Sequence, residues 1–362
     1  MPNYQIWLCD NAYARSVLLA NSGDVRTWTH LSYRQRLNGL SSLSIDLVPN
    51  SAKIDDVALM QRILVYRDAV LVFSGLLLEE DWSIEQSAPA GDTYRLSALD
   101  VTAYADWRLV VPAAGQTHDT RTDHADDVAK DYVYYHAGAG AAAARQFSDV
   151  AVAADAHAGT SITEEARYDN LLTLLANLAN KGGFDWRFVP GDTGCTFTTA
   201  ARPWGTDRTQ GNGVNTEMIF SLDRRNVRAV HYVKSLLAHR NYIYVGGQGE
   251  GVDRNIQERS TAGDIAAYKR RETFHDATRL TATASLQAEG DAKLVEWQAE
   301  EYLEVDPAAT AWPTLYGLGD LVTVAANRYG RTFSMDAQVV ALNVEVAAEN
   351  EETVTPELEK YA

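Results

Sequence analysis

The densest set of side chains that could bind a metal ion lies between positions 118 and 127. It consists of His118, Asp119, Asp123, His124, Asp126 and Asp127. Imidazole and carboxylate groups are common ligands of divalent cations, so a metal site is one interpretation. The aspartate spacing differs from that of a calcium-binding loop, and polar segments of this kind are commonly solvated surface. We expect exposed surface without a resident metal, although the sequence leaves metal binding at this segment open.

Two pairs of adjacent glutamates could supply the acid and base of a glycosidase. They are Glu164-Glu165 and Glu300-Glu301. That reaction requires two carboxyl groups at a defined spatial separation, which a sequence does not give, and adjacent glutamates usually form a solvated face. The sequence contains neither a Gly-x-Ser-x-Gly nor a His-Glu-x-x-His motif, which are signatures of common hydrolases. The sequence therefore favours a protein that is not an enzyme.

A glycine-rich run follows a predicted strand at Gly246, Gly247, Gly249 and Gly251. In dinucleotide-binding proteins such a run opens a helix whose N-terminus holds pyrophosphate. Here residues 252–257 have the pattern of a returning strand, and the carboxylate of Glu250 would repel phosphate. We therefore predict a structural turn and no cofactor.

Aromatic residues offer candidate contact surfaces, because their rings combine a large apolar area with a polar group. The chain has 18 Tyr and 8 Trp residues. Trp82 and Trp186 occupy alternating strand positions and are predicted to lie in the core. Tyr132, Tyr134 and Tyr135 are harder to bury together, so this stretch is the candidate interface.

Charge and cysteine content exclude several classes of protein. The formal net charge is −17, which disfavours stable nucleic-acid binding, because phosphate affinity depends on clustered Lys and Arg. Transient passage of DNA past an acidic wall remains compatible. Cys9 and Cys195 are in no Cys-x-x-Cys motif and are expected to be buried thiols. The apolar stretches are shorter than a membrane span, and the first residues lack a secretory pattern, so we expect synthesis in a cytoplasm.

The pattern of elements divides the chain into four segments. Residues 1–108 contain short strands in which apolar and polar residues alternate, as in 43–47. Residues 109–215 are richer in Ala and Gly and form a small α/β insert. Strands return in 216–350, interrupted by a helix over 286–303, and 351–362 form an acidic tail that is expected to be mobile.

One helix of the insert is predicted over 167–181. Leu171, Leu175 and Leu178 share one face of it. Ser161 and Glu164 could form an upstream capping box, and Gly182-Gly183 would end the helix.

Two hairpins, at 64–84 and 321–346, show the same order of features. The dipeptide Phe73-Ser74 in the first hairpin aligns with the identical dipeptide Phe333-Ser334 in the second. The match indicates either two related β domains or two unrelated amphipathic hairpins.

The order of these segments resembles the baseplate hub or tail-tip proteins of tailed bacteriophages. The resemblance covers most of the chain and depends on the order of four local patterns. The first two are a turn before an early strand at 37–49 and a hairpin with a charged turn at 63–75. The others are a helix followed by a strand at 170–186 and a glycine-rich turn at 244–254. It implies a mainly β fold in which two related, tube-like β-barrel domains flank a small α/β domain.

The resemblance also implies a structural role. Proteins of that family are typically homotrimers that form a ring matching the tail tube and carry no cofactor. The implied partners are a distal tail protein, a tape measure protein and a fibre or spike, within a virion tail assembled in the host cytoplasm. The alternative is a tail-tip carbohydrate-binding adhesin or a glycan-degrading enzyme. Whether the particle is a phage, a gene transfer agent or a contractile injection particle stays open.

Overall fold

The structure is a computed structural model of the 362-residue chain. It describes residues 2–10, 14–24, 27–49, 53–84, 92–191, 193–308, 312–328, 330–347 and 351–361. Within these ranges no helix is both long and apolar enough to cross a membrane.

The first seven strands belong to one antiparallel network. They are β1 Tyr4–Cys9, β2 Arg15–Asn21, β3 Trp28–Arg36, β4 Ser42–Leu47, β5 Arg62–Arg67, β6 Val70–Ser83 and β7 Thr93–Asp100. The β5–β6 hairpin predicted from the sequence is present. Its turn residues Asp68 and Ala69 both have positive φ, 49° and 65°, as a tight two-residue hairpin turn requires.

Helices and two small sheets occupy the next hundred residues. The elements are α1 Ala103–Asp106, β8 Asp119–His124, α2 Ala125–His136, β9 Val150–Val152, β10 Ser161–Ala166, α3 Leu171–Gly182, β11 Phe184–Gly191 and β12 Gly194–Ala201. β8 pairs with β10, and β12 lies between β11 and β9. Helices α2 and α3 pack with these strands around a separate hydrophobic cluster.

The remaining elements return to the large sheet after a second small one. They are β13 Ile219–Ser221, β14 Val227–Ser235, β15 Tyr242–Gly246, β16 Ile256–Ser260, α4 Ala262–Tyr268, β17 Glu272–Asp276, α5 Thr283–Glu296, β18 Glu300–Pro307, β19 Leu321–Arg328, β20 Arg331–Ala347 and β21 Glu352–Lys360. Strands β16, β15 and β17 form a three-stranded sheet covered by α5.

Strands from both ends of the chain form one thirteen-stranded sheet. Its order is β14-β18-β21-β20-β3-β4-β7-β6-β5-β1-β2, with β19 also paired to β20, and β13 to β19. One hydrophobic core runs along this sheet and includes residues of β1 to β7, of β13 and β14, and of β18 to β21. Among the described strands this order is an open path, so the predicted β-barrels do not appear as closed barrels. The mainly β class itself is confirmed.

The predicted helix 167–181 corresponds to α3, but its start differs. Asn170 is the N-cap, and its side chain accepts a hydrogen bond from the Thr173 amide. Ser161 and Glu164 lie in strand β10, so the predicted capping box is wrong. Gly183 ends the helix with φ 68°, a left-handed conformation that glycine adopts without steric cost.

Two further predictions about elements are wrong. The helix predicted over 286–303 ends at Glu296, because the segment that follows alternates and buries Leu303 and Val305 as strand β18. The predicted mobile tail is strand β21 over residues 352–360, which lies between β18 and β20 and buries Val354 and Leu358. Val354 and Leu358 face the core, Glu352 on the same face is held by an ion pair with Arg67, and Glu359 on the opposite face is exposed. The acidic composition is therefore compatible with an amphipathic strand.

Candidate interface at the open edges of the sheet

The sheet is continuous because β3 pairs with β20. In this internal junction Tyr33 lies opposite Val344 and Leu31 lies opposite Val346, in antiparallel register. All four side chains are at most 1% exposed. On this face, the junction therefore joins the two halves of the sheet through buried apolar side chains.

The two halves of the sheet have the same strand order. In chain order, the first half uses β1, β3, β4, β5, β6 and β7, and the second uses β13, β14, β18, β19, β20 and β21. The spatial order is β1-β5-β6-β7-β4-β3 in one and β13-β19-β20-β21-β18-β14 in the other. One difference is that β13 runs parallel to β19, whereas β1 is antiparallel to β5. Each half is called a module below.

The pairing registers of the modules also correspond. In β6 an irregularity follows Leu77, and in β20 one follows Val339. The first residue of β6 that pairs with β7 is Gly75, and the first residue of β20 that pairs with β21 is Ala337. In each strand the irregularity comes two residues after that first pair. Counting from these pairs, Phe73 corresponds to Met335. The sequence comparison aligned Phe73 with Phe333. The structure therefore corrects that alignment by two residues.

The two strands that correspond to the junction strands each have an open edge, at the other ends of the modules. β3 corresponds to β14, and β20 corresponds to β6. Among the described strands, β14 pairs only with β18, and the second half of β6 pairs only with β7. In the junction, the backbone groups of β3 and β20 form hydrogen bonds with each other. The corresponding backbone groups of β14 and of the second half of β6 have no described strand beside them.

The open edges expose the side chains whose counterparts are buried at the internal junction. Trp82 corresponds to Val344 and is 58% exposed, and Ile84 corresponds to Val346 and is 68% exposed. On the other edge, Tyr232 corresponds to Tyr33 and is 37% exposed. The prediction that Trp82 lies in the core is wrong, while that for Trp186, which is fully buried, is confirmed. Alternation gives the face of a strand but not whether a neighbour covers that face.

The two open edges carry opposite charges. Glu79, Glu80 and Asp81 are exposed on β6. Strand β14 carries Arg228 and Lys234, which contact Asp306 and Glu301 of the neighbouring strand β18. Applying the register of the internal junction to the open edges places Glu80 opposite Lys234 and Trp82 opposite Tyr232. Opposite charges and aromatic pairs across strands are stabilising contacts.

An open groove of about 620 Å³ lies beside β14. Val230, Tyr232 and Phe333 contribute apolar side chains to it, and the rings of Tyr232 and Phe333 lie 4.8 Å apart between centroids. A strand added to the edge of β14 would bring its own apolar residues to this groove.

The predicted tyrosine interface is only partly at the surface. Tyr132 is fully buried, and its hydroxyl lies 2.8 Å from the carbonyl oxygen of Asp119 and 3.2 Å from that of Glu164. The prediction is wrong for this residue, because α2 turns it toward the core. Tyr134 and Tyr135 are 39% and 44% exposed, and their rings contact each other edge to face. A contact role for these two stays a prediction.

We expect Tyr132→Phe to lower the free energy of unfolding by about 1–2 kcal/mol, because the hydrogen bond that the Tyr132 hydroxyl donates to the backbone carbonyl groups of β8 and β10 is lost. Urea denaturation followed by tryptophan fluorescence measures this change. Tyr135→Phe is the matched control and should change the free energy of unfolding by less than about 0.5 kcal/mol. Equal stability of the two variants would show that the Tyr132 hydroxyl contributes nothing.

The glycine-rich run joins two antiparallel strands. Gly246 is the last residue of β15, and the chain returns through a short 3-10 turn over Gly251–Asp253 to β16. Gly249 and Gly251 have positive φ, 113° and 56°. Arg254 donates hydrogen bonds to the carbonyl groups of Gly246 and Gly247, so its guanidinium fills the turn.

The polar residues of segment 118–127 separate in the structure. Asp119 pairs with Arg121 and His136, and these partners hold the pKa of its carboxyl at about 2 although its burial acts in the opposite direction. Asp126 is buried against Lys130 and Thr199. Asp123, His124 and Asp127 stay close together, and His157, which sequence reasoning did not identify, joins them from a distant loop.

The glutamates considered as an acid and base pair are held in separate ion pairs. Lys181 lies 2.7 Å from both Glu164 and Glu289, joining β10 and α3 to α5. Burial raises the pKa of Glu164 despite the nearby lysine. Burial also acts on Glu289, but the hydrogen bond from His275 and the charges of Lys181 and Arg279 hold its pKa below the ordinary value.

Glu301 lies on a different sheet from Glu164, where Lys360 contacts it at 2.7 Å. The burial of Lys181, Glu164 and Glu289 together indicates a structural contact that joins β10 and α3 to α5.

Solved tail proteins share this fold along nearly the whole chain. One is the tail protein from Neisseria meningitidis MC58, with 14% identity and a TM-score of 0.59 over 99% of this chain and 96% of that one. Another is the 43 kDa tail protein of prophage MuSo2 from Shewanella oneidensis, with 13% identity and a TM-score of 0.62 over 99% and 98%. A third is the prophage tail protein gp18 from Listeria monocytogenes EGD-e, with 12% identity and a TM-score of 0.57 over 99% and 94%.

The fold is thus that of these tail proteins. The chain belongs to the family of siphovirus ReqiPepy6 Gp37-like proteins, whose model matches residues 6–358. The resemblance to tail-tip proteins seen in the sequence is thereby confirmed. No curated protein matches the chain in sequence.

Proposed function

We propose that this chain is the hub of a tail tip, where three copies form a ring that closes the distal end of the tail tube. The observation that carries the proposal is the arrangement of the two modules. One module-to-module junction is made inside the chain, and the two edges that would make the same junction again are open and complementary.

The arrangement favours a closed ring over an isolated chain. The edge of β14 in one copy would pair with the edge of β6 in the next, which is a head-to-tail contact, and such contacts form rings when the rotation closes. Three copies of a two-module chain present six similar modules, which would match a sixfold tube to a threefold tip. Closure also covers strand edges that would otherwise promote aggregation.

Energetic considerations agree with pairing at these edges. Trp82, Ile84 and Tyr232 would each become buried, and complete burial of a large apolar side chain contributes about 1.5–3 kcal/mol. In the register of the internal junction, residues 79–84 of one copy would form backbone hydrogen bonds with residues 230–235 of the next, and the contact of Glu80 with Lys234 would help to fix that register.

The test of the proposal is the mass of the assembled species in solution, measured by light scattering. We expect three times the chain mass at high protein concentration. A species that remains monomeric or dimeric at every concentration, and inside the particle, would exclude the ring.

The ring would have neighbours on both sides. By this proposal the distal tail protein binds above it, a fibre or spike binds below it, and the tape measure protein reaches it through the tube. The complex would be assembled in the host cytoplasm and remain in the virion tail.

We expect the protein not to retain double-stranded DNA, even at about 0.05 M salt, where attraction between charges is strongest. With a net charge of −17, the protein as a whole repels phosphate, so DNA could pass through the ring without binding to it. A gel-shift titration with a short duplex measures this. Salt-sensitive binding would indicate a basic channel wall and contradict passive passage.

A further inference from the structure

We propose that Asp123, His124, Asp127 and His157 form a zinc site that fastens one loop of the insert to helix α2. This inference is independent of the proposed ring. One ligand atom from each residue is available, and these four atoms all lie within 4.8 Å of one another. Ligand atoms around a tetrahedral zinc ion lie about 3.4 Å apart. Small side-chain rotations would therefore bring the four groups to bonding distance.

The backbone already holds the four residues together. His124 is the N-cap of α2, and Asp127 lies in the first turn of that helix. The loop that carries His157 is bound to the same end of the helix: the Ala158 amide donates to Asp126 at 2.7 Å, and the Ala125 amide donates to the Thr160 carbonyl at 3.0 Å. The site is thus largely preformed, which lowers the entropy cost of binding an ion.

Asp127 is the buried anchor of the cluster. Its Oδ1 accepts hydrogen bonds from the Ala156 amide and from Lys130, both at 3.1 Å. Such outer partners orient a ligating carboxylate. The Oδ2 atom faces His157, with the ring Nδ1 at 2.6 Å.

The ligand types select the ion. His124 Nδ1 lies 3.3 Å from Asp123 Oδ1, and the two imidazole rings are 5.3 Å apart between centroids. Two imidazoles with two carboxylates suit zinc better than calcium or magnesium, which prefer oxygen ligands alone. Four protein ligands complete a tetrahedral shell and leave no position for a reacting water, so the site would be structural.

The experiment is calorimetric titration of the purified full-length chain with zinc chloride, followed by cobalt substitution. We expect one zinc ion per chain and the visible absorption of tetrahedral cobalt. His124→Ala and His157→Asn should each weaken zinc binding at least tenfold and abolish the cobalt absorption. Asparagine is chosen because His157 has φ 52°, a conformation that asparagine tolerates.

His231→Ala is the control, since this exposed histidine lies on β14 outside the cluster. It should bind zinc like the unmodified chain, and circular dichroism should show that all variants are folded. Absence of zinc binding in the unmodified chain, or full affinity in both cluster variants, would overturn the proposal. Equal binding of magnesium that is insensitive to the histidine variants would also overturn it and indicate a purely carboxylate surface.

Discussion

Leu175→Asp is expected to destabilise the protein by at least about 4 kcal/mol, because it removes a buried leucine and places an unpaired carboxylate in a core. Leu175 is fully buried on the face of α3 that packs with α2 and β11. A loss of this size is a large part of the total stability of an ordinary domain. Urea denaturation gives the free energy of unfolding directly.

Two further variants keep this prediction testable. Thr173→Asp introduces the same charge on the exposed side of α3, in its first turn, where a carboxylate is favourable. It should leave stability nearly unchanged. If Leu175→Asp is insoluble, Leu175→Ala should still cost about 2–5 kcal/mol. A loss below about 1 kcal/mol for both Leu175 variants would show that this face of α3 does not lie in a core.

The second large effect concerns assembly. Lys234→Glu is expected to weaken association between copies at least tenfold, because it places a carboxylate opposite Glu80 at each junction of the ring. Glu80→Lys alone should weaken association in the same way, by placing two lysines opposite each other. The double variant restores an opposite-charge pair and should recover most of the association. Light scattering over a concentration series measures all three.

The charge-reversal cycle tests the register as well as the existence of the junction. Arg167→Glu changes the net charge by the same amount as Lys234→Glu at an exposed position of the insert, so it controls for net charge. Single variants that assemble normally would show that these edges do not pair. Single variants that fail without rescue in the double variant would show that the edges pair in another register.

Local features were predictable from the sequence to the extent that neighbouring residues determine them. The β5–β6 hairpin, the buried face of α3 and its end at Gly183 depend on alternation, helical periodicity and glycine conformation within a few positions. The start of α3 was missed, because the Ser161 and Glu164 spacing fits a capping box whether or not the segment is helical. The strand at 352–360 was missed because its three glutamates dominated the composition while its alternation was overlooked.

The class of protein could also be recognised from the order of short patterns, because proteins of this fold share the order of their elements although few individual residues are identical. The sequence did not determine which strand lies beside which. Hydrogen bonding between β3 and β20 joins residues about three hundred positions apart, and no local pattern encodes that partner.

The tertiary structure alone therefore decided the candidate sites. An exposed and a buried strand tryptophan have the same local pattern, so only the open edge of β6 distinguishes Trp82 from Trp186. Likewise, His157 reaches Asp127 across thirty positions because a loop folds back onto a helix end. The physical reason is the same in both cases: a side chain's own sequence neighbourhood sets its direction, whereas its environment is set by whichever distant segment packs beside it.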